Sequence, residues 1–144
     1  IMPDLVRKFP DIVLKIAGRD SVNNKNVESL GSVDRKTLAD VYRKAWILVS
    51  PSEYEGFGLP ALEALASGTA VVARDNHGSR YLLDNGKYGM LCSKENMLDN
   101  LLMLLSSREK REEFGKMGLE RAKEFDIMNT ARKYRELYAE LLAR

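Results

Sequence analysis

Two glutamates in the middle of the chain, Glu55 and Glu63, have the residue type and spacing to hold a polyhydroxylated ligand. The seven residues between them are Gly-Phe-Gly-Leu-Pro-Ala-Leu. Gly56 and Gly58 have no Cβ, so the backbone there can approach a ligand closely. Carboxylates repel phosphate but accept hydrogen bonds from hydroxyls, each contributing roughly 1.5–3 kcal/mol. We therefore expect both acids to contact hydroxyl groups of a sugar or ribose.

A helix that begins near Leu59 supplies the positive charge that a phosphate would need. Pro60 suits the first position of a helix, and Leu62 and Leu65 follow at helical spacing. Unpaired N–H groups and the helix dipole make such an N-terminus a common phosphate site. Glu63 lies about one turn into the helix, and helical side chains lean back toward the N-terminus. Glu63 can therefore reach toward the same ligand.

Buried strands are predicted on both sides of this loop and helix. Trp46–Ser50 is a short apolar run before the loop. Gly68 is expected to end the helix, and Thr69–Ala73 is the next apolar run. The unit is therefore strand, glycine-rich loop, helix and strand, a βαβ arrangement.

The 14 residues from Pro51 to Ala64 have the pattern Pro-Ser-x-x-Glu-Gly-Phe-Gly-Leu-Pro-x-Leu-Glu-Ala. This pattern resembles the glutamate-x7-glutamate motif of retaining glycosyltransferases with the two-domain GT-B fold, the group 1 or family 4 class. The resemblance implies transfer of a sugar from a nucleotide-sugar donor to an acceptor hydroxyl with retention of configuration, in polysaccharide or glycolipid biosynthesis. It implies no cofactor and no metal, because the helix dipole and basic residues replace the cation at the diphosphate.

The resemblance also implies roles for single residues. Glu55 would be the catalytic residue, in contact with the donor sugar near the reacting carbon, and Glu63 would hold the ribose hydroxyls. The backbone between them would hold the sugar hydroxyls and the diphosphate. The donor-binding candidates in this loop are Gly56, Phe57, Gly58 and Leu59.

Three further donor-binding candidates follow two earlier predicted strands. Gly18 ends the strand Ile12–Ala17, at the kind of strand end where ligands gather in open α/β sheets. Arg19 is a candidate for a donor phosphate, and a solvated arginine is the alternative. Val33 follows the strand Val27–Gly31, where the resemblance implies backbone contacts to the nucleobase. The helix predicted after Val33 has one apolar face, formed by Leu38, Val41, Tyr42 and Ala45.

A later loop departs from the family pattern. The family usually has Gly-Gly-x-x-Glu, whereas residues 77–81 are His-Gly-Ser-Arg-Tyr, so Tyr81 stands in place of the glutamate. Arg74–Ser79 is predicted to be a loop and Tyr81–Leu83 part of a short helix. His77 could act as a base, and a loop histidine without a chemical role is the alternative we favour.

Composition excludes several other classes of function. The chain has 144 residues, 44% of them hydrophobic and 31% charged, which is typical of one folded domain. A net charge of +2 gives no reason to expect a nucleic-acid partner. One cysteine, Cys92, and one histidine do not make a metal site, and no apolar run is long enough to cross a membrane. Cys92 lies in an apolar, strand-like run, so we expect its thiol to be buried. We expect a cytoplasmic protein. Peripheral association of the parent enzyme with the inner face of the membrane is compatible with this expectation.

Strands alternate with helices, which predicts a parallel sheet covered on both faces. We expect a Rossmann-like doubly wound domain, the C-terminal half of a GT-B fold, with extra helices at the end of the chain. The last of these helices is predicted over Ile127–Ala143, and its apolar residues fall on one side: Met128, Ala131, Tyr134, Tyr138 and Leu141. The resemblance implies that residues 1–144 are the donor-binding domain, with its start truncated and the N-terminal, acceptor-binding domain absent. Such a fragment is expected to be inactive alone.

Two alternatives remain open from the sequence. One is half of a nucleotide-sugar epimerase or phosphorylase on the same fold, although the full motif favours a transferase. The other is a noncatalytic nucleotide-binding or interaction domain. A product assay would test the first alternative, and nucleotide titration would test the second.

Overall fold

The computed structural model describes residues 1–18, 22 and 24–143, and within them seven helices and five strands. The elements are α1 (Met2–Lys8), β1 (Leu14–Ala17), β2 (Val27–Gly31), α2 (Arg35–Lys44), β3 (Ile47–Ser50), α3 (Leu59–Ala66), β4 (Ala70–Arg74), α4 (His77–Leu82), β5 (Met90–Cys92), α5 (Met97–Ser106), α6 (Arg108–Lys123) and α7 (Ile127–Leu142).

All named strand pairs are parallel, as the alternation of strands and helices predicted. The described strands nevertheless form two sheets, β1-β2 and β3-β4-β5, where the sequence suggested a single sheet. Leu14 lies opposite Val27 in the first sheet, and Ile47 lies opposite Ala70 in the second. Hydrophobic patterns identify strands but contain no information on which strand pairs with which, so this division was not predictable.

The centre of the molecule is β4, which is covered on both faces. Its first four residues are each at most 1% exposed. Ala70 and Val72 belong to one apolar cluster, which includes residues of α1 and α5. Val71 and Ala73 belong to a second cluster, which includes residues of α3 and α4. This alternation of neighbouring side chains between two covered faces confirms the Rossmann-like α/β layering.

Helix α6 packs closely against α3 because two of its residues are glycines. A Cβ added to Gly115 would lie 2.3 Å from the carbonyl oxygen of Gly68, and one added to Gly118 would lie 2.8 Å from a methyl of Leu65. Gly68 itself has φ +74°, the left-handed conformation that commonly follows a helix, as predicted. The close approach fixes the end of α3 that is remote from its glycine-rich loop.

The segment Arg74–Ser79 is not wholly a loop, because Arg74 is the last residue of β4 and α4 already begins at His77. The Asn76 side chain accepts a hydrogen bond from the backbone N–H of Ser79 at 2.9 Å, which caps the helix. Asparagine is among the preferred N-cap residues, so the signal was present in the sequence. Pro60 occupies the second position of α3, one place later than predicted.

The last helix, α7, has the predicted extent to within one residue but contains no buried residue. Its apolar side chains include Met128, Tyr134, Tyr138 and Leu141, each more than half exposed. Across the described residues, no helix combines the length and apolar character that spanning a bilayer requires. Cys92 is buried as expected, and burial raises the pKa of its thiol.

Candidate functional site

The loop between β3 and α3 holds the first of the two predicted acids. Glu55 is half-buried, whereas Tyr54 beside it is 82% exposed. Gly58 ends the loop with φ +91°, a conformation that a residue with a Cβ adopts only with strain. Glycine at this position therefore lets the chain turn directly from the loop into α3.

The N-terminus of α3 is arranged to attract an anion. Gly58 is its N-cap and has no side chain to accept a hydrogen bond from the first turn. Pro60 has no N–H, and the N–H of Leu62 bonds to the carbonyl of Gly58 at 3.0 Å. By helix geometry, the N–H groups of Leu59 and Ala61 have no acceptor within the helix. These donors and the positive end of the dipole face the glycine-rich loop.

The loop after β4 holds the Glu55 loop in place. Asn76 donates a hydrogen bond from its side-chain amide to the carbonyl of Ser52 at 2.9 Å, and Arg74 lies 3.4 Å from the carboxylate of Glu53. Gly78 is buried, and a Cβ there would lie 2.5 Å from the carbonyl oxygen of Glu55. Sequence reasoning missed this contact, although Gly78 matches a glycine of the family pattern.

The second acid, Glu63, receives a hydrogen bond from a residue that was predicted only as part of an apolar helix face. The Tyr42 hydroxyl donates to Glu63 Oε2 at 3.2 Å. Tyr42 is 8% exposed, whereas Glu63 is exposed. Burial, together with the neighbouring carboxylate, raises the pKa of Tyr42 to about 12. The phenol therefore remains a donor at neutral pH.

The side chain of Phe57 points into an aromatic cluster with Tyr81 and Phe125. Its ring centroid lies 5.4 Å from that of Phe125 and 6.3 Å from that of Tyr81. The guanidinium of Arg121 lies 4.8 Å from the Phe125 ring centroid and donates a hydrogen bond to the carbonyl of Tyr81 at 2.7 Å. The Phe57 side chain thus anchors the loop. Only the backbone of Phe57 therefore remains as a candidate for contact with the donor.

The remaining site candidates follow the carboxyl ends of the strands in the other sheet, β1-β2. The N–H of Gly18 bonds to the carbonyl of Gly31 at 2.9 Å, and both residues have positive φ. Val33 is half-buried and is followed by Asp34, the N-cap of α2. Among the described residues, no hydrogen bond or ion pair joins Gly18 or Val33 to the loop with the two glutamates. Arg19 lies outside the described residues.

Other features near the loops do not suggest a metal centre. Within the described ranges, no group of three or more His, Cys, Asp or Glu side chains could hold a metal ion. The Arg80 guanidinium donates to Asp75 and lowers the pKa of that carboxyl group, and His77 is exposed at the start of α4. Cavities of about 330 and 460 Å³ lie elsewhere, beside Trp46 and Met2 respectively.

A family model and a similar protein both indicate a glycosyltransferase. The family model described as "Glycosyl transferases group 1" matches residues 1–121. An uncharacterized glycosyltransferase of Methanocaldococcus jannaschii, MJ1178, is 32% identical over 140 residues, which are 95% of this chain and 38% of the relative. The structure of sucrose-phosphate synthase from Thermosynechococcus elongatus is 27% identical with a TM-score of 0.76, covering 99% of this chain and 34% of that chain.

A third comparison concerns the fold alone. The Anabaena protein HepE, solved in complex with UDP and glucose, is 19% identical with a TM-score of 0.80, over 96% of this chain and 43% of that chain. The parallel strands and covering helices match the C-terminal Rossmann-like domains of GT-B glycosyltransferases. The chain spans 38% of the length of MJ1178. Since the family model covers most of its residues, this chain belongs to the group 1 glycosyltransferases.

Proposed function

We propose that this chain is the donor-binding domain of a retaining glycosyltransferase, which transfers a sugar from a nucleotide-sugar donor to an acceptor hydroxyl. The main observation behind this proposal is the uncapped N-terminus of α3, which follows a glycine-rich loop, with Glu55 in that loop and Glu63 about one turn into the helix. The group 1 family match supports transfer over the epimerase and phosphorylase alternatives.

The donor diphosphate would lie at the start of α3. The N–H groups of Leu59 and Ala61 would donate to its oxygens, and Gly56 and Gly58 would let the backbone approach it. Negative charge grows on the diphosphate as the bond to the sugar breaks. Fixed donors and a helix dipole aimed at that charge stabilise the transition state without reorganising. In this proposal the N-terminus of α3 stabilises the leaving diphosphate electrostatically, and no bound cation is required for that role.

The two acids would contact different parts of the donor. Glu55, whose backbone is held against Gly78, would contact the sugar near its reacting carbon. Glu63, held by Tyr42, would accept hydrogen bonds from the ribose hydroxyls. The backbone from Gly56 to Leu59 would contact the sugar hydroxyls. These assignments are the ones that the motif implied, and the geometry gives each acid a distinct support.

The acceptor would come from a second domain of the full-length enzyme. Tyr54 in the loop, Leu59 at the start of α3 and Tyr81, whose ring lies near that of Phe57, are 82%, 62% and 63% exposed, so a facing surface is needed to exclude water. The chain spans 38% of the relative MJ1178, which leaves ample length for such a domain. We propose a cytoplasmic parent enzyme, acting in polysaccharide or glycolipid synthesis at the inner face of the membrane, and no turnover by this chain alone.

Nucleotide titration of the 144-residue chain tests this proposal. Calorimetry with UDP, GDP and ADP should show weak binding of at least one, and UDP is the first probe because HepE was solved with it. Glu63→Ala should weaken that binding by about 10-fold or more, which corresponds to the loss of one hydrogen bond to a charged group. Glu113→Ala, an exposed change in α6, is the control and should leave affinity unchanged. Failure of all three nucleotides to bind would contradict the proposal.

A transfer assay tests the proposal that this chain gives no turnover alone. The isolated chain, supplied with radiolabelled nucleotide sugars and a range of acceptors, should give no product, whereas the full-length enzyme should. Turnover by the isolated chain would show that the facing surface is dispensable.

A further inference from the structure

We infer that Tyr42 is a positioning residue of the donor site, because its hydroxyl holds the Glu63 carboxylate in the orientation that meets the ribose. The inference rests on the proposed function and extends it to a residue on a different helix. Tyr42 lies in α2 and Glu63 in α3, so the contact joins two elements that flank β3 in the chain. Neither the motif nor its spacing includes Tyr42.

The tyrosine is held rigidly by its surroundings. Its ring belongs to the apolar cluster that contains Ala64 and Leu65, and the residue is 8% exposed. Its carbonyl accepts a hydrogen bond from the Thr69 hydroxyl at 2.6 Å, and Thr69 is itself buried. A side chain packed in this way has one orientation available, so its hydroxyl marks a fixed point on the surface.

The acid is the mobile member of the pair. Glu63 is exposed, and a glutamate has three rotatable side-chain bonds, so alone it would sample many conformations. The hydroxyl of Tyr42 donates to Oε2, 3.2 Å away, which leaves Oε1 to accept from a ligand. Because the carboxylate is oriented before the ligand arrives, less conformational freedom is lost on binding.

The protonation state of the phenol fits a donor rather than a base. Burial first, and then the charge and hydrogen bond of Glu63, raise the pKa of Tyr42 to about 12. At neutral pH the proton therefore stays on the tyrosine. Phenylalanine keeps the ring and its packing but removes the hydroxyl, so Tyr42→Phe isolates the positioning effect.

The test compares nucleotides with and without ribose hydroxyls. Dissociation constants are measured for UDP, GDP and ADP and for their 2′-deoxy and 3′-deoxy analogues. The wild-type chain should prefer the ribose form of the best binder over at least one deoxy analogue by about 10-fold. In Tyr42→Phe this preference should fall to about 3-fold or less. Tyr134→Phe, on the exposed face of α7, should keep the wild-type preference.

A double-mutant cycle separates positioning from a general effect on structure. If Tyr42 acts through Glu63, Tyr42→Phe should change the ribose preference no further in a Glu63→Ala background. Additive losses in the double variant would overturn the inference, as would a wild-type preference retained in Tyr42→Phe. If instead the wild-type chain binds nucleotides without any ribose preference, the assigned role of Glu63 fails, and the inference fails with it.

Discussion

The two acids of the candidate site are positioned by different kinds of neighbour. Glu55 is fixed through its backbone, because Gly78 packs directly against its carbonyl oxygen. Glu63 is fixed through its side chain, which accepts a hydrogen bond from Tyr42. A backbone contact of this kind tolerates no added atom, whereas a hydrogen bond is lost by removing one. The support of Glu55 is therefore tested by adding an atom to Gly78, and the support of Glu63 by removing the hydroxyl of Tyr42.

We expect Gly78→Ala to disturb the Glu55 loop. The added Cβ would lie 2.5 Å from the carbonyl oxygen of Glu55, so the loop or α4 must move. Overpacking of this kind typically costs about 1–3 kcal/mol of unfolding free energy. Urea denaturation should show that loss, and nucleotide affinity should fall with it.

Gly56→Ala provides the matched control for Gly78→Ala. Apart from Gly56 and its two chain neighbours, no heavy atom of the described residues lies within 4 Å of a Cβ built on Gly56. Its unfolding free energy should stay within about 0.5 kcal/mol of the wild type. Equal stability of the Gly56→Ala and Gly78→Ala variants would show that the close contact with Glu55 does not constrain the loop.

Some of the site residues could be predicted from the sequence and others could not. Glu55, Glu63 and the glycines between them could be proposed as candidates from the sequence, because their spacing and the flanking strands form a local pattern. Tyr42 was missed because a tyrosine on an apolar helix face is normally a core residue, and its partner lies 21 residues away. Contacts between segments that are distant in the chain leave no local signal in a single sequence.

The helices that position the site depend on close packing between α3 and α6. Gly115 and Gly118 let the two backbones approach, and the contacts fall on Gly68 and Leu65 near the end of α3. A glycine in a helix interior normally reduces helix stability by about 1 kcal/mol relative to alanine. The presence of glycine at two positions of α6 that are three residues apart is explained by the space that α3 occupies.

We expect Gly115→Ala to destabilise the fold even though alanine favours helix. The new Cβ would lie 2.3 Å from the carbonyl oxygen of Gly68, which is backbone and cannot rotate away. An overpacking cost of about 1–3 kcal/mol should exceed the gain in helix propensity of about 1 kcal/mol. The net loss is measured by urea denaturation. Lys116→Ala, at the next and exposed position, should be neutral or slightly stabilising, and a similar result for Gly115→Ala would contradict the packing argument.

For the molecule as a whole, the sequence predicted the layered α/β architecture but not the division into two sheets. The periodicity of α7 correctly predicted a helix with one apolar side, since periodicity depends only on neighbouring residues. It did not predict whether another element covers that side. None of the residues of α7, all of them described, is buried, so the helix adds little to the core that β4 organises.

We therefore expect removal of residues 127–144 to leave the rest of the fold almost unchanged. An isolated helix of 16 residues is marginal in water. The described polar contacts at the start of α7 include the Asp126 cap, whose carboxylate accepts from Met128 N–H at 2.7 Å, and the Asn129 side-chain amide, which donates to the Lys123 carbonyl at 3.0 Å. The melting temperature of the shortened chain should lie within about 2 °C of the full chain, corresponding to about 0.5 kcal/mol. Leu104→Ala, at a fully buried position of α5, should lower the melting temperature much further. Replacing a buried leucine by alanine typically reduces the unfolding free energy by about 2–5 kcal/mol. A large drop on removing α7, comparable with that of Leu104→Ala, would show that its apolar side packs against the body of the molecule in solution.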